Sequence, residues 1–156
     1  MTACYLGLGS NLRTPIRQIH RAMAILRTLP QTYIKKKSRC YISKPCGLRS
    51  QPMYCNAVVL VETRLSSHAL LRHCQSIETQ QGRIRKKHWG SRTIDIDLLL
   101  YGQHIIQSNT LTIPHPGLLH RDFVIVPLLN LSPSLILPHG QSLIDALHAL
   151  TTRYLK

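Results

Sequence analysis

Acidic residues are scarce in this chain. Its 156 residues include 20 Lys and Arg against 6 Asp and Glu, a formal charge of +14 with His neutral. Aromatics are thin too, with one Phe and one Trp. No apolar run approaches the roughly 18–20 residues of a bilayer-spanning helix, so no transmembrane segment and no membrane partner are expected. The start, Met1-Thr2-Ala3-Cys4-Tyr5, has no basic leader or apolar h-region, so no secretory signal is expected. The five cysteines, Cys4, Cys40, Cys46, Cys55 and Cys74, are odd in number and include no C-x-x-C pair. That argues against a disulfide framework or a zinc site and fits a reduced cytoplasm. The G-x-x-x-x-G-K-[ST] phosphate loop is missing, as are the glycine-rich and catalytic-loop patterns of protein kinases. Gly7-x-Gly9 lacks the rest of a dinucleotide fingerprint.

Hydrophobic residues make up 44% of the chain, too many for a disordered segment. The length fits one domain, 1–156. A pI near 10.2 points to a polyanionic partner without choosing among nucleotide, nucleic acid and anionic surface. Against that background, the placement of the six acids, Glu62, Glu78, Asp95, Asp97, Asp122 and Asp145, carries information.

Strands and helices interleave. Tyr5 to Leu8 reads as a short buried strand ending in a Gly9-Ser10-Asn11 turn. Thr14-Pro15 reads as an N-cap and first helical position, with Ile16, Ile19, Met23 and Leu26 on the inner face. Tyr33 to Tyr41 predicts one basic edge strand, Ser43 to Tyr54 an irregular loop and Asn56 to Glu62 a β-branched strand. Ser66-Ser67 opens a second helix, with Leu70, Leu71, Cys74 and Ile77 inward and Gln75 and Glu78 sharing another face. After Gly82 comes a basic loop, Arg83 to Arg92, then a strand from Thr93 to Tyr101. Pro114-His115-Pro116 is a rigid loop, Phe123 to Leu131 a short helix, and Ser142-x-x-Asp145 a capping box for a last helix. Several strand-to-strand links are too short for helical crossovers. An α+β fold with a mixed or mostly antiparallel sheet flanked by helices follows, not a doubly wound parallel one.

The chemistry centres on Asp95-Ile96-Asp97. Alternate strand residues share a face, so the two carboxylates stand about 6.6 Å apart along the chain, with Ile94, Ile96 and Leu98 on the opposite, buried face. Two adjacent carboxylates repel. A divalent cation relieves that repulsion, and Mg²⁺ typically takes one or two carboxylates and completes its shell with water and phosphate oxygens. The bland reading of D-x-D is a solvent-facing strand that happens to be acidic. Arg83, Arg85 and Arg92, with Lys86 and Lys87, shift the balance towards a nucleotide triphosphate with Mg²⁺, since phosphoryl transfer demands positioning and charge neutralisation. Tyr54, Asn56 and Phe123 are suited to sandwiching a flat heterocycle, with the Asn amide both donating and accepting along its edge. A lone Phe is more often simply core.

Taken in order, these segments resemble the 6-hydroxymethyl-7,8-dihydropterin pyrophosphokinase family of folate biosynthesis. The matching stretches are Gly7-Leu8-Gly9-Ser10-Asn11-Leu12, Gln51-Pro52-x-Tyr54-x-Asn56-Ala57-Val58 and Ile77-Glu78-x-x-x-Gly82-Arg83-x-Arg85. They continue through Trp89-Gly90-x-Arg92-x-x-Asp95-Ile96-Asp97, Pro114-His115-Pro116 and Arg121-x-Phe123-Val124-x-x-Pro127-Leu128. The resemblance implies a ferredoxin-like fold and transfer of pyrophosphate from ATP to the hydroxymethyl group of the reduced pterin, leaving AMP. It implies that Asp95 and Asp97 bind two Mg²⁺, and that Arg83 and Arg92 meet the phosphates, Arg83 from a loop that closes over the site. It implies nucleotide contacts from Arg85, His115 and Arg121, with Gln75 and Glu78 nearby. Tyr54 and Phe123 would sandwich the pterin, Asn56 read its edge, Trp89 help cover it, and Ser43 and Cys46 offer backbone groups. Lys44, Cys46, Ser50 and Thr110 depart from the family's commoner residues. No dedicated general base stands in the motif, which leaves Asp97 or water to accept the hydroxyl proton.

The expected partners are the two small-molecule substrates, with a monomer as the default and no specific nucleic acid. A rival reading is an RNA-binding module, prompted by the charge; it needs exposed aromatics on the central strands, where Val58, Leu60, Ile94 and Ile96 are aliphatic. A third is a relative that binds nucleotide or pterin without turnover.

Overall fold

The structure is a computed structural model that describes residues 1–46, 50–82 and 93–156. Its elements are β1 (Thr2–Ser10), α1 (Pro15–Leu26), β2 (Thr32–Lys37), β3 (Tyr41–Ser43), β4 (Tyr54–Thr63) and α2 (Ser67–Gln80). Then follow β5 (Asp95–Tyr101), the short pair β6 (Ile106–Gln107) and β7 (Thr112–Ile113), a 3₁₀ turn (Leu118–His120), α3 (Asp122–Leu131) and α4 (Leu143–Ala149). The main sheet runs β2-β4-β1-β5, with β3 also on β4. Every ladder among the described residues is antiparallel. This is the strand order of a ferredoxin-like α+β fold, in agreement with the expectation and at its antiparallel end.

Each face of the sheet has its own core because alternate strand residues point opposite ways. Under α1 and α2 lie Leu6, Leu8, Val59, Val61, Ile96 and Leu98. Against α3 and α4 lie Tyr5, Val58, Leu99 and Leu100. In α1, Ile19, Ala22, Met23 and Leu26 form the buried stripe, whereas Ile16, expected inward, is exposed. Thr14 has φ 60° and makes no side-chain cap, so Pro15 starts the helix without the predicted hydroxyl. In α2, the Ser66 hydroxyl does cap, accepting from Ala69 N at 3.2 Å, and Gly82 at φ +81° follows the helix end. The Ser142 hydroxyl likewise accepts from Asp145 N at 3.2 Å to start α4.

Two boundaries differ from expectation. The single strand predicted over Tyr33 to Tyr41 is two, β2 and β3, lying in succession along one edge of β4. Ser38 sits at the break: its N donates to Val58 O at 2.8 Å, and its hydroxyl accepts from Val58 N at 2.9 Å. A side-chain oxygen there takes the place of a ladder carbonyl. Gly9 and Ser10, expected in a turn, are also in the strand. Gly7 and Gly9 are interior to β1, which continues to Ser10.

Candidate active site

The register across three strands assembles the site. Gly9 lies between Asn56 of β4 and Asp95 of β5, and Gly7 between Val58 and Asp97. The two carboxylates therefore share a face of β5 with the two glycines of β1 and with Asn56. Ile94, Ile96 and Leu98 are buried on the opposite side, as the alternation requires.

Because Gly7 and Gly9 have no side chains, that face is a cleft and not a packed surface. It is a concave space partly open to solvent, with a cavity volume of about 100 Å³. A Cβ on Gly9 would stand 3.5 Å from Asn56 Oδ1 and 3.7 Å from the Tyr54 ring; one on Gly7 would meet Leu99 at 3.4 Å. Contacts at these distances are ordinary, so a methyl group would fit at either position and would occupy the floor.

Asp95 and Asp97 line one end of the cleft, and Ser43, Cys46, Tyr54, Asn56 and Phe123 the other. Arg121 and Lys44 also line it. Asn56 is buried and held by two bonds from its Nδ2, to Ser43 Oγ at 2.7 Å and to Tyr41 O at 3.1 Å. Both amide hydrogens are thus engaged inside the protein. The expected donor-and-acceptor reading is corrected to an acceptor through Oδ1. Asn11 organises the approach to Tyr54, donating from Nδ2 to Pro52 O at 3.1 Å and to Gln51 Oε1 at 3.3 Å.

His115 reaches the acidic end from the loop after β7, where its N donates to Leu99 O at 3.0 Å. Its Nδ1 accepts from Gly117 N at 3.0 Å, and its Nε2 lies 3.9 Å from Asp97 Oδ1. Burial, reinforced by the Arg121 charge and opposed by Asp95, holds its pKa below the ordinary imidazole value. In the neutral ring, with Nδ1 accepting, the proton sits on Nε2 and faces the carboxylate end. Arg121 is fitted against Gly117, where a Cβ would come within 2.8 Å of the guanidinium carbon. That carbon also stands 5.8 Å from the Phe123 ring centroid.

The Gln75 and Glu78 pair separates. Glu78 is buried, and its Oε2 accepts from Ile96 N at 2.8 Å, anchoring the middle of Asp95-Ile96-Asp97 from behind the sheet. Gln75 is exposed on α2 and does not line the cleft, so three-residue spacing did not give them one environment. Arg83, Arg85, Trp89 and Arg92 lie outside the described residues. Sequence reasoning assigned no role to Gly117 or to Tyr154, and it placed Gly9 in a turn. The glycines had a readable signal: two residues apart on a strand, they share one face.

A family model for 7,8-dihydro-6-hydroxymethylpterin-pyrophosphokinase (HPPK) matches residues 5–133. The chain belongs to this family. A 2-amino-4-hydroxy-6-hydroxymethyldihydropteridine pyrophosphokinase of Haemophilus influenzae is 48% identical over 141 residues, 90% of this chain and 88% of that one. The Pseudomonas aeruginosa protein of the same name is 41% identical over 145 residues, 93% of this chain and 90% of the relative. Among solved structures, an HPPK-DHPS chain in complex with substrates superposes with a TM-score of 0.69 at 13% identity. That match covers 95% of this chain and 43% of the solved one, so this chain spans less than half of it and the likeness concerns the fold. On the cleft face the central strands of this HPPK chain present Gly7, Gly9, Asn56 and Val58, with Tyr54 at the start of β4.

Proposed function

We propose that the cleft transfers pyrophosphate from ATP to the hydroxymethyl group of 6-hydroxymethyl-7,8-dihydropterin, giving AMP and the pterin diphosphate for folate biosynthesis. The observation that carries this reading is the shared cleft: a carboxylate pair at one end, and a wall of Tyr54, Asn56 and Phe123 at the other. The donor set fits Mg²⁺. Two hard carboxylates face an open floor, and no group of three or more His, Cys, Asp or Glu among the described residues offers a full protein cage, which suits an ion that completes its shell with phosphate and water. Asp95 and Asp97 would hold two such ions. Ions held there would supply charge neutralisation on the triphosphate and Lewis-acid polarisation of the phosphorus under attack.

The chain's own residues do the rest. Tyr54 and Phe123 stack the pterin, and the Asn56 carbonyl, fixed by Ser43 and Tyr41, accepts from its edge. Ser43 and Cys46 border the ring. Arg121 and His115 meet the nucleotide, the latter donating from Nε2. Arg83 and Arg92 neutralise the phosphates, Arg85 contacts the nucleotide, and Trp89 covers the pterin. Asp97, or water beside it, takes the hydroxyl proton. Glu78 acts through β5, and Gln75 is left with at most a peripheral nucleotide contact.

Residues 1–156 work as one pyrophosphokinase domain, a monomer in the cytoplasm. No helix among the described residues is long and apolar enough to cross a membrane, and all five cysteines are free thiols, which suits a reducing compartment. The test is AMP release from ATP with Mg²⁺ and the dihydropterin. One AMP per pterin diphosphate is expected; no AMP above the rate without pterin would overturn the reading.

A further inference from the structure

The chain end ties together the two walls that flank the acceptor end of the cleft. Lys44 N donates to Tyr154 O at 2.8 Å and Lys156 N to Ile42 O at 3.1 Å, pairing Leu155 with Ser43 along the outer edge of β3. From the other wall, buried Asp122 at the start of α3 accepts on Oδ2 from both Tyr154 N and Leu155 N, each at 3.0 Å. Two main-chain bonds to β3 and two to the Asp122 carboxylate therefore fix the backbone of residues 154–156 to both β3 and α3.

The Tyr154 side chain spans the same gap. Its ring stands edge-on to Phe123, with centroids 5.7 Å apart and planes at 82°. Its hydroxyl faces the thiol of Cys46 on the opposite wall, near enough for each group to perturb the other. Cys46 and Phe123 both line the cleft. An aromatic sandwich needs its walls held at one separation, because stacking falls off as the gap widens by fractions of an ångström.

We propose that Tyr154 is a positioning residue for the acceptor: it sets the separation of Phe123 from the 43–46 segment and so tunes affinity for the planar heterocycle, not for the nucleotide. The inference rests on the pyrophosphokinase reading of the cleft. A merely structural tail would lower thermal stability and degrade both substrates alike.

The test is steady-state kinetics of the full chain with each substrate varied, alongside thermal melting. Tyr154→Leu removes both contacts and should raise the pterin KM about tenfold, with the ATP KM within about twofold of wild type. Tyr154→Phe keeps the ring and should raise the pterin KM about two- to threefold. Combining it with Cys46→Ala should add little beyond the larger single effect, since both remove one contact. An unchanged pterin KM in Tyr154→Leu, or equal rises in both KM values, overturns the proposal. Should that variant fail to fold, additive effects of Tyr154→Phe and Cys46→Ala overturn it. A wild-type chain that binds the dihydropterin but releases no AMP refutes the functional reading alone, and pterin titration of the variants then decides the positioning role. No pterin binding by wild type removes both.

Discussion

On one face of the sheet, β1, β4 and β5 present Leu6, Leu8, Val59, Val61, Ile96 and Leu98, buried beneath α1 and α2. On the other, one end of the same strands is packed, with Tyr5, Val58, Leu99 and Leu100 under α3 and α4. At the opposite end of that face Gly7, Gly9, Asn56, Asp95 and Asp97 line the cleft, with no helix over them among the described residues. A face roofed along its length needs only apolar alternation, and volume-conserving exchanges there are tolerated. Where the roof stops, each position acquires a distinct role, as acid, acceptor, stacking surface or empty floor. Substitutions on the first face should therefore register as stability, and those on the second as binding and rate.

The sharpest separation is expected from Asp97→Asn, which keeps shape and removes charge. AMP release should fall at least about a thousandfold with melting nearly unchanged, and near-wild-type turnover would sink the metal assignment. Leu6→Ala, fully buried on the helix face, should cost about 3–5 kcal/mol in chemical denaturation. KM values measured well below its midpoint should stay close to wild type. Gly9→Val inverts that pattern. Its methyls would enter the floor near Asn56 and Tyr54, raising the pterin KM about tenfold or more, while a β-branched residue on a strand leaves stability intact or improved. A fall in stability with no change in pterin KM would mean that the floor is not where the ring lies.

The cysteines give the mildest contrast. Burial pushes the Cys4 thiol up to about 12, and burial together with the Glu78 and Asp97 carboxylates does the same to Cys74. Both sit in the helix-face core. Their neutral forms are favoured in the fold, so the folded state keeps protons that the unfolded chain releases above its ordinary thiol pKa. Stability is then fully present below that value and declines as pH rises towards 12, by about 1 kcal/mol between pH 8 and 9. Denaturant midpoints that do not move over this range would contradict the burial. Cys46, half-buried in the cleft, should be alkylated first at pH 8 and be shielded by bound pterin. Mass spectrometry of partly labelled protein reads the order.

The strands and helices were largely legible because apolar periodicity reports directly which face is buried. The failures have local causes. Ile16 fits the α1 repeat but stands a turn too early to reach the sheet. Ser38 breaks a strand by supplying a hydroxyl where a carbonyl was expected, which composition does not reveal. Of the site, the spacing of Asp95 and Asp97 was enough to put them on one face. Helical i, i+3 spacing did not do the same for Gln75 and Glu78, because residues three apart are rotated by about 60° around the axis and Glu78 is the one that reaches β5.

The sequence alone determined the family, the element order and the carboxylate pair, since motif spacing and period-two alternation are properties of the local chain. Only the tertiary structure decided that Gly7 and Gly9 form a floor, that Asn56 has no amide hydrogen left to donate, and that Tyr154 bridges two walls. Each of these depends on strand register or on contacts between residues far apart in sequence, which no local pattern encodes.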